Sequence, residues 1–62
     1  QNLIVIQING KKRGIIDSEQ DIGETDLIEK IKEKKELQKF FEDKKIFKSI
    51  FIKDKLINLI VK

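Results

Sequence analysis

Asn9-Gly10-Lys11-Lys12-Arg13-Gly14 joins the tightest turn signal in the chain to a run of three adjacent cations. Leu3-Ile4-Val5-Ile6-Gln7-Ile8 precedes it as an extended run of β-branched and apolar residues, and Gly14-Ile15-Ile16 follows. Two such runs flanking Asn-Gly read as a β-hairpin, because both turn residues tolerate the positive φ that a tight hairpin turn demands. A two-residue loop pairs Ile8 with Lys11 and mixes cations with isoleucines on one face. A three-residue loop with Gly10 left-handed pairs Gln7 with Lys11 instead. Ile4, Ile6, Ile8, Gly14 and Ile16 then share one face and Gln7, Lys11 and Arg13 the other, which buries isoleucine and leaves charge in water. The three-residue register is therefore the expected one.

Working outward, Asp17 to Thr25 is polar and acidic and contains Gly23, the composition of a loop. Asp26 followed by Glu29 marks a helix start, with Thr25 or Asp26 as N-cap and carboxylates near the positive end of the dipole. Leu27, Ile28 and Ile31 form one apolar stripe and Leu37, Phe40 and Phe41 another. At about 100° per residue the two stripes are rotated by roughly 130°, so one straight helix cannot bury both. Two short helices are expected, Asp26 to Glu33 and Glu36 to Phe41, with a bend around Lys34-Lys35. Glu42 to Lys45 reads as a polar turn, Ile46 to Ile52 as a strand, Lys53-Asp54-Lys55 as a hairpin loop and Leu56 to Val61 as the last strand.

The order ββααββ predicts an α+β, two-layer fold, a four-stranded mixed sheet with one or two short helices on one face. The first and last strands are the most continuously apolar, as central strands are, whereas the second and third carry Lys12, Arg13, Lys48 and Ser49. That gives strand order 2-1-4-3. The helical crossover makes strands one and four parallel, with an antiparallel centre as the alternative.

At 62 residues the chain is one small domain, residues 1–62, near the lower limit for a single core. Cysteine and histidine are both absent, as are tyrosine and tryptophan. These absences rule out disulfides and cysteine-based zinc sites, remove the commonest general base, and argue against an independent enzyme. No catalytic residue and no metal ligand is assigned. The acids of the second quarter lack a tight ligand spacing and read as capping and solvation. No apolar run is long enough to span a bilayer and the N-terminal stretch lacks a basic start, so no membrane partner and a cytoplasmic location are expected. The chain opens directly in a strand pattern, which suggests a domain of something longer.

Charge is segregated along the chain. Residues 1–16 carry +3, Asp17 to Glu29 hold six acids and no base, and Lys30 to Lys62 carry eleven lysines against five acids. In the expected topology Lys11, Lys12, Arg13, Lys44 and Lys45 fall at one end of the sheet, with Lys62, and Lys53 and Lys55 at the other. A turn tip of this kind approaches phosphates, and Arg13 supplies a bidentate donor that lysine does not. Such contacts position a nucleic acid without reading its sequence. The competing reading is a solvated hairpin tip. Phe47 and Phe51, on one face of strand three, read as core rather than as stacking groups, since no RNA-recognition motif accompanies them.

Ile6-Gln7-Ile8-Asn9-Gly10-Lys11-Lys12-Arg13-Gly14 resembles the Val-Gln-Val-Asn-Gly-Lys-x-Arg-Gly segment of the C-terminal domain of bacterial-type leucyl-tRNA synthetases. Lys55-Leu56-Ile57-Asn58-Leu59-Ile60-Val61 is similar to that domain's closing Gly-Lys-Leu-x-Asn-x-Val-Val. The resemblance implies a non-catalytic tRNA-binding module, flexibly tethered to a larger synthetase, that touches the tRNA corner where D- and T-loops meet. It carries Asn9, Lys11, Arg13, Lys55 and Asn58 over as contact positions, to which charge placement adds Lys12, Lys44 and Lys45. The implied partners are tRNA(Leu) and the remainder of the synthetase, with a monomeric module. No cofactor is expected in this domain, ATP and Mg belonging to the parent enzyme. The chain departs from the family at four positions: Lys53-Asp54 replaces Pro-Gly in the second turn, Ser49 stands where an apolar residue is common, and Phe47 where a polar one is. The reading that competes with this family is a small ubiquitin-like protein-interaction module using an exposed edge strand or the Phe47/Phe51 face.

Overall fold

A computed structural model describes residues 2–62. The elements run β1 (Leu3–Ile8), β2 (Lys11–Asp17), α1 (Glu24–Lys32), α2 (Lys35–Gln38), β3 (Ile46–Ile52) and β4 (Leu56–Val61). They form the expected α+β arrangement: one four-stranded sheet of order β2-β1-β4-β3, with β1 and β4 parallel and both hairpins antiparallel. The two most apolar strands occupy the centre, where both edges are hydrogen-bonded.

The first hairpin departs from the expected register. Ile8 pairs with Lys11 across a two-residue Asn9-Gly10 turn, with φ of 53° and 83°, the doubly positive pair that matches strand twist. Gln7 pairs with Lys12, and the register then shifts so that Ile6 faces Gly14, Val5 faces Ile15 and Ile4 faces Ile16. Arg13 is the extra residue of a β-bulge. The bulge reconciles two demands that a regular ladder cannot meet together, the tight turn and the burial of Ile16 beside Ile4 and Ile6. The isoleucine face is therefore as expected, but Gln7, Lys11 and Arg13 do not share the other: Lys11 lies opposite Ile8 on the helix side and Lys12 lies opposite Gln7 on the open side.

The core lies between sheet and helices. Ile4, Ile6, Leu27, Ile31, Ile57 and Leu59 are wholly buried, and Ile8, Ile16, Leu37 and Val61 nearly so. The helical region breaks as its two stripes require. α1 ends at Lys32 with Glu33 as its C-cap, Lys34 is extended (φ −78°, ψ 119°), and α2 restarts in a new phase that places Leu37 against the sheet. α2 is only four residues long, and Phe40 and Phe41 follow it in turns rather than in helix. α1 begins two residues before the expected start, with Gly23 as N-cap and no side-chain cap bond. Ile22 causes this shift: it is buried at 3%, which pins the acidic loop to the core and fixes where the helix enters.

The other sheet face is open. Leu3, Ile15, Ile50 and Ile52 are each close to half exposed there, with Val5, Leu56 and Ile60 partly buried between them. In the second turn Asp54 adopts φ 61° and Lys55 N–H donates to Ile52 C=O at 3.0 Å. Asp54 thus accepts the left-handed geometry that glycine usually supplies. Its carboxylate takes Asn2 Nδ2–H at 2.7 Å and Asp21 N–H at 3.1 Å, which gives the aspartate a reason to stand there. Ser49 likewise has a partner: it lies opposite Leu59 on the helix side and its hydroxyl donates to Glu24 of α1.

Candidate nucleic-acid interface

The parallel β1–β4 centre fixes which loops meet. β1 ends, β2 begins, β3 begins and β4 ends at one edge of the sheet, so Lys11, Lys12, Arg13, Lys44, Lys45 and Lys62 gather at that end. Lys45 and Lys62 exchange backbone bonds of 3.0 and 3.1 Å, which extends the β3–β4 ladder and fastens the two chain segments there. The cations span the width of the sheet. Lys11–Arg13 sit on the β2 edge and Lys44–Lys45 lead into the β3 edge, about three strand spacings or ~14 Å away. Lys62, continuing β4, stands between them.

These side chains are exposed and unneutralised. Among the described residues the salt bridges are Lys34–Glu36 at 3.9 Å and Lys53–Asp21 at 3.4 Å, and neither involves a cation of this end. Lys11, Lys12, Arg13, Lys44, Lys45 and Lys62 all lie on the surface. Lys53 and Lys55 occupy the opposite end, roughly 20 Å away along a six-residue strand, beside Asp21 and Asp54.

Arg13 is oriented by an aromatic ring. Its guanidinium carbon lies 4.8 Å from the Phe40 ring centroid, and Lys39 Nζ lies 5.3 Å from the same centroid. The bulge turns Arg13 toward the helix layer, and Phe40, packed half-buried against the core, gives it a fixed platform. Lys39 joins the hairpin cations by this route. Nothing in its sequence neighbourhood marked it out, because the contact depends on Phe40 following a short α2 rather than continuing a helix.

Asn9 and Asn58 do structural work at the same place. Asn9 Oδ1 accepts Val61 N–H at 2.9 Å, Asn58 Oδ1 accepts Gly10 N–H at 3.0 Å, and Asn9 N–H donates to Leu59 C=O at 2.9 Å. β4 runs past the end of β1, which would leave the Val61 amide without a strand partner; the Asn9 side chain replaces it. The two asparagines thus clip the basic turn onto β4 through their Oδ1 atoms.

Phe47 and Phe51 part company. Phe51 packs against the core, whereas Phe47 stands at the register shift between Ile46 and Lys48 and is 67% exposed. Lys62 Nζ lies 4.2 Å from its ring centroid. Among the described residues there is no detectable pocket and no cluster of acids or histidines suited to a metal ion. The basic end is thus an exposed surface rather than an enclosed cavity.

No protein-family model matches the chain. Curated relatives do. A leucine–tRNA ligase of Campylobacter hominis is 41% identical over 59 residues, 95% of this chain, and one of Mycoplasmopsis pulmonis is 43% identical over 58 residues, 94% of this chain. The chain is a homologue of one segment of leucine–tRNA ligase. It spans 7% of the length of either relative. The fold agrees: a chain in the crystal structure of the LeuRS–tRNA–LeuAMS ternary complex from Agrobacterium radiobacter K84 superposes with a TM-score of 0.89 at 22% identity, over 97% of this chain and 8% of that one. The kinship to an aminoacyl-tRNA synthetase thus rests on sequence, and the ligase-like architecture of this segment on structure. No helix among the described residues is long and apolar enough to cross a membrane.

Proposed function

We propose that this chain is the C-terminal tRNA-binding module of a leucine–tRNA ligase, which grips tRNA(Leu) by its backbone near the elbow and does no chemistry itself. The observation that carries the reading is the gathering of Lys11, Lys12, Arg13, Lys44, Lys45 and Lys62 at one sheet end, with no salt bridge to any of them among the described residues. Phosphates are the natural ligands of such a surface, and contacts of this kind fix register and orientation. Arg13, held on Phe40, is the group suited to a bidentate phosphate contact. Asn9 and Asn58 support RNA binding by holding the turn in place, with their amides as additional donors. Lys55 meets the RNA only if the ligand reaches the far end. The remaining nine-tenths of a ligase would supply catalysis, with its ATP and Mg, and the module would act as a monomeric appendage of it in the cytoplasm.

A second reading has one specific observation in its favour, the open sheet face bearing Leu3, Ile15, Ile50 and Ile52. In that reading the chain docks by this face on the body of a ligase and leaves RNA alone. Charge reversal separates the two. In a ligase carrying this module, Lys11→Glu with Lys12→Glu and Arg13→Glu should lower kcat/KM for tRNA at least roughly tenfold while leaving leucine activation intact. Unchanged aminoacylation would reject the tRNA-binding reading.

A further inference from the structure

The four phenylalanines have different fates, and one is not packed on the core. Phe41 and Phe51 pack on the core, and Phe40 does so while supporting Arg13 and Lys39. Phe47 is 67% exposed, on a bulged stretch of an edge strand, the kind of irregularity that re-aims a side chain outward. Burial does not account for it. The other exposed apolar groups of the sheet are aliphatic, so Phe47 is the one exposed ring among the described residues.

Its surroundings are cationic. Lys62 Nζ lies 4.2 Å from the ring centroid, Lys45 is fastened to Lys62 through paired backbone bonds, and Lys44 and Lys48 flank the strand start. Glu42 and Asp43 precede this group in the turn, yet among the described residues neither forms a salt bridge with these lysines. A ring with a lysine above it and other lysines nearby is the combination by which proteins hold single-stranded nucleic acid: the ring takes a base face and the cations take the adjoining phosphates.

We infer that Phe47 is a stacking platform for an unpaired nucleobase, with Lys62, Lys45 and Lys44 on the neighbouring phosphates. The inference rests on the tRNA-binding reading and deepens it. Backbone contacts at the β2 edge are indifferent to whether RNA is paired, whereas a stacking site at the β3 edge selects RNA whose bases are splayed out of a helix, as in loops. It also adds a component of affinity that salt does not screen.

The test exploits the absence of tryptophan and tyrosine from the chain. Phe47→Trp introduces a single fluorophore at the proposed site, at an exposed position where replacement leaves the core untouched. The 62-residue chain, wild type and with Phe47→Trp, Phe47→Leu or Phe47→Ala, is titrated with a tRNA(Leu) transcript and with a blunt RNA duplex of equal phosphate number. Expected are strong quenching of the tryptophan by tRNA and little by the duplex. Phe47→Ala and Phe47→Leu should both weaken tRNA binding roughly 5- to 150-fold, the range of one lost base stack, with the salt slope unchanged. Wild-type affinity in either variant, or equal quenching by both RNAs, overturns the inference while steep salt dependence keeps the tRNA-binding reading. Failure of the wild-type chain to bind tRNA at low salt overturns both.

Discussion

Asn9 answers two demands at one position. Its φ of 53° needs a residue that accepts the left-handed region, and the Val61 amide needs an acceptor where β1 has ended. Glycine meets the first demand and not the second; alanine meets neither. Asn9→Gly should therefore cost about 1 kcal/mol, the worth of the hydrogen bond, and Asn9→Ala about 2 kcal/mol or more, since strain is added to it. Asn58→Ala, which frees only the exposed Gly10 amide, should cost about 1 kcal/mol. Urea denaturation followed by circular dichroism ranks the three. The same measurement bears on the proposed function, because a residue that acts only as a clip should lose tRNA affinity no faster than it loses stability. Arg13 is the contrasting case: its side chain is exposed and stacked, so Arg13→Lys should leave stability within about 0.5 kcal/mol of wild type yet weaken tRNA binding several-fold, through loss of the planar bidentate donor.

The β1–β2 hairpin shows what the sequence could and could not reveal about elements. The Asn-Gly turn, the strand runs and the identity of the buried isoleucines were legible, because turn chemistry and period-two burial are local properties. The bulge was not. A uniform ladder was forced to choose between a favourable turn and a favourable core, and the chain escapes by inserting Arg13 into the ladder. Deleting Arg13 should accordingly keep every cross-strand pairing, Gln7 with Lys12 and Ile6 with Gly14, and yield a regular hairpin. Amide NMR should show the sheet retained, with tRNA affinity reduced at least as far as in Arg13→Lys. The helical layer follows a similar pattern. The phase mismatch between Leu27/Ile31 and Leu37 foretold a break, yet the four-residue length of α2 was hidden, since it depends on Leu37 reaching the sheet above Gly14. So short a helix has little intrinsic stability and is held by that contact. Leu37→Ala should cost roughly 2–4 kcal/mol, enough to unfold much of a 62-residue domain and to lower its melting temperature sharply.

On the scale of the whole molecule, charge segregation along the chain becomes segregation in space because the parallel centre brings four chain segments to one end. The acids of residues 19–29 lie in α1 and its entry loop, and Lys53 is met by Asp21 at the other end. The basic end has, among the described residues, no cation held in a salt bridge, although Glu42 and Asp43 lie in the adjoining turn. Its hairpin and β3-edge cations were legible from topology, while Lys39 and the Phe47–Lys62 pair were not, since both arise where the chain leaves regular structure. The central claim is that this end binds RNA phosphates, and the most direct measurement is the affinity of the 62-residue chain for a tRNA(Leu) transcript as salt is raised from 50 to 200 mM. With about five phosphates contacted, affinity should fall roughly 100- to 500-fold, and the slope of log K against log salt should flatten by roughly two to three when Lys11, Lys12 and Arg13 are replaced by alanine. An affinity that salt leaves unchanged, or a slope untouched by that triple replacement, would contradict the account.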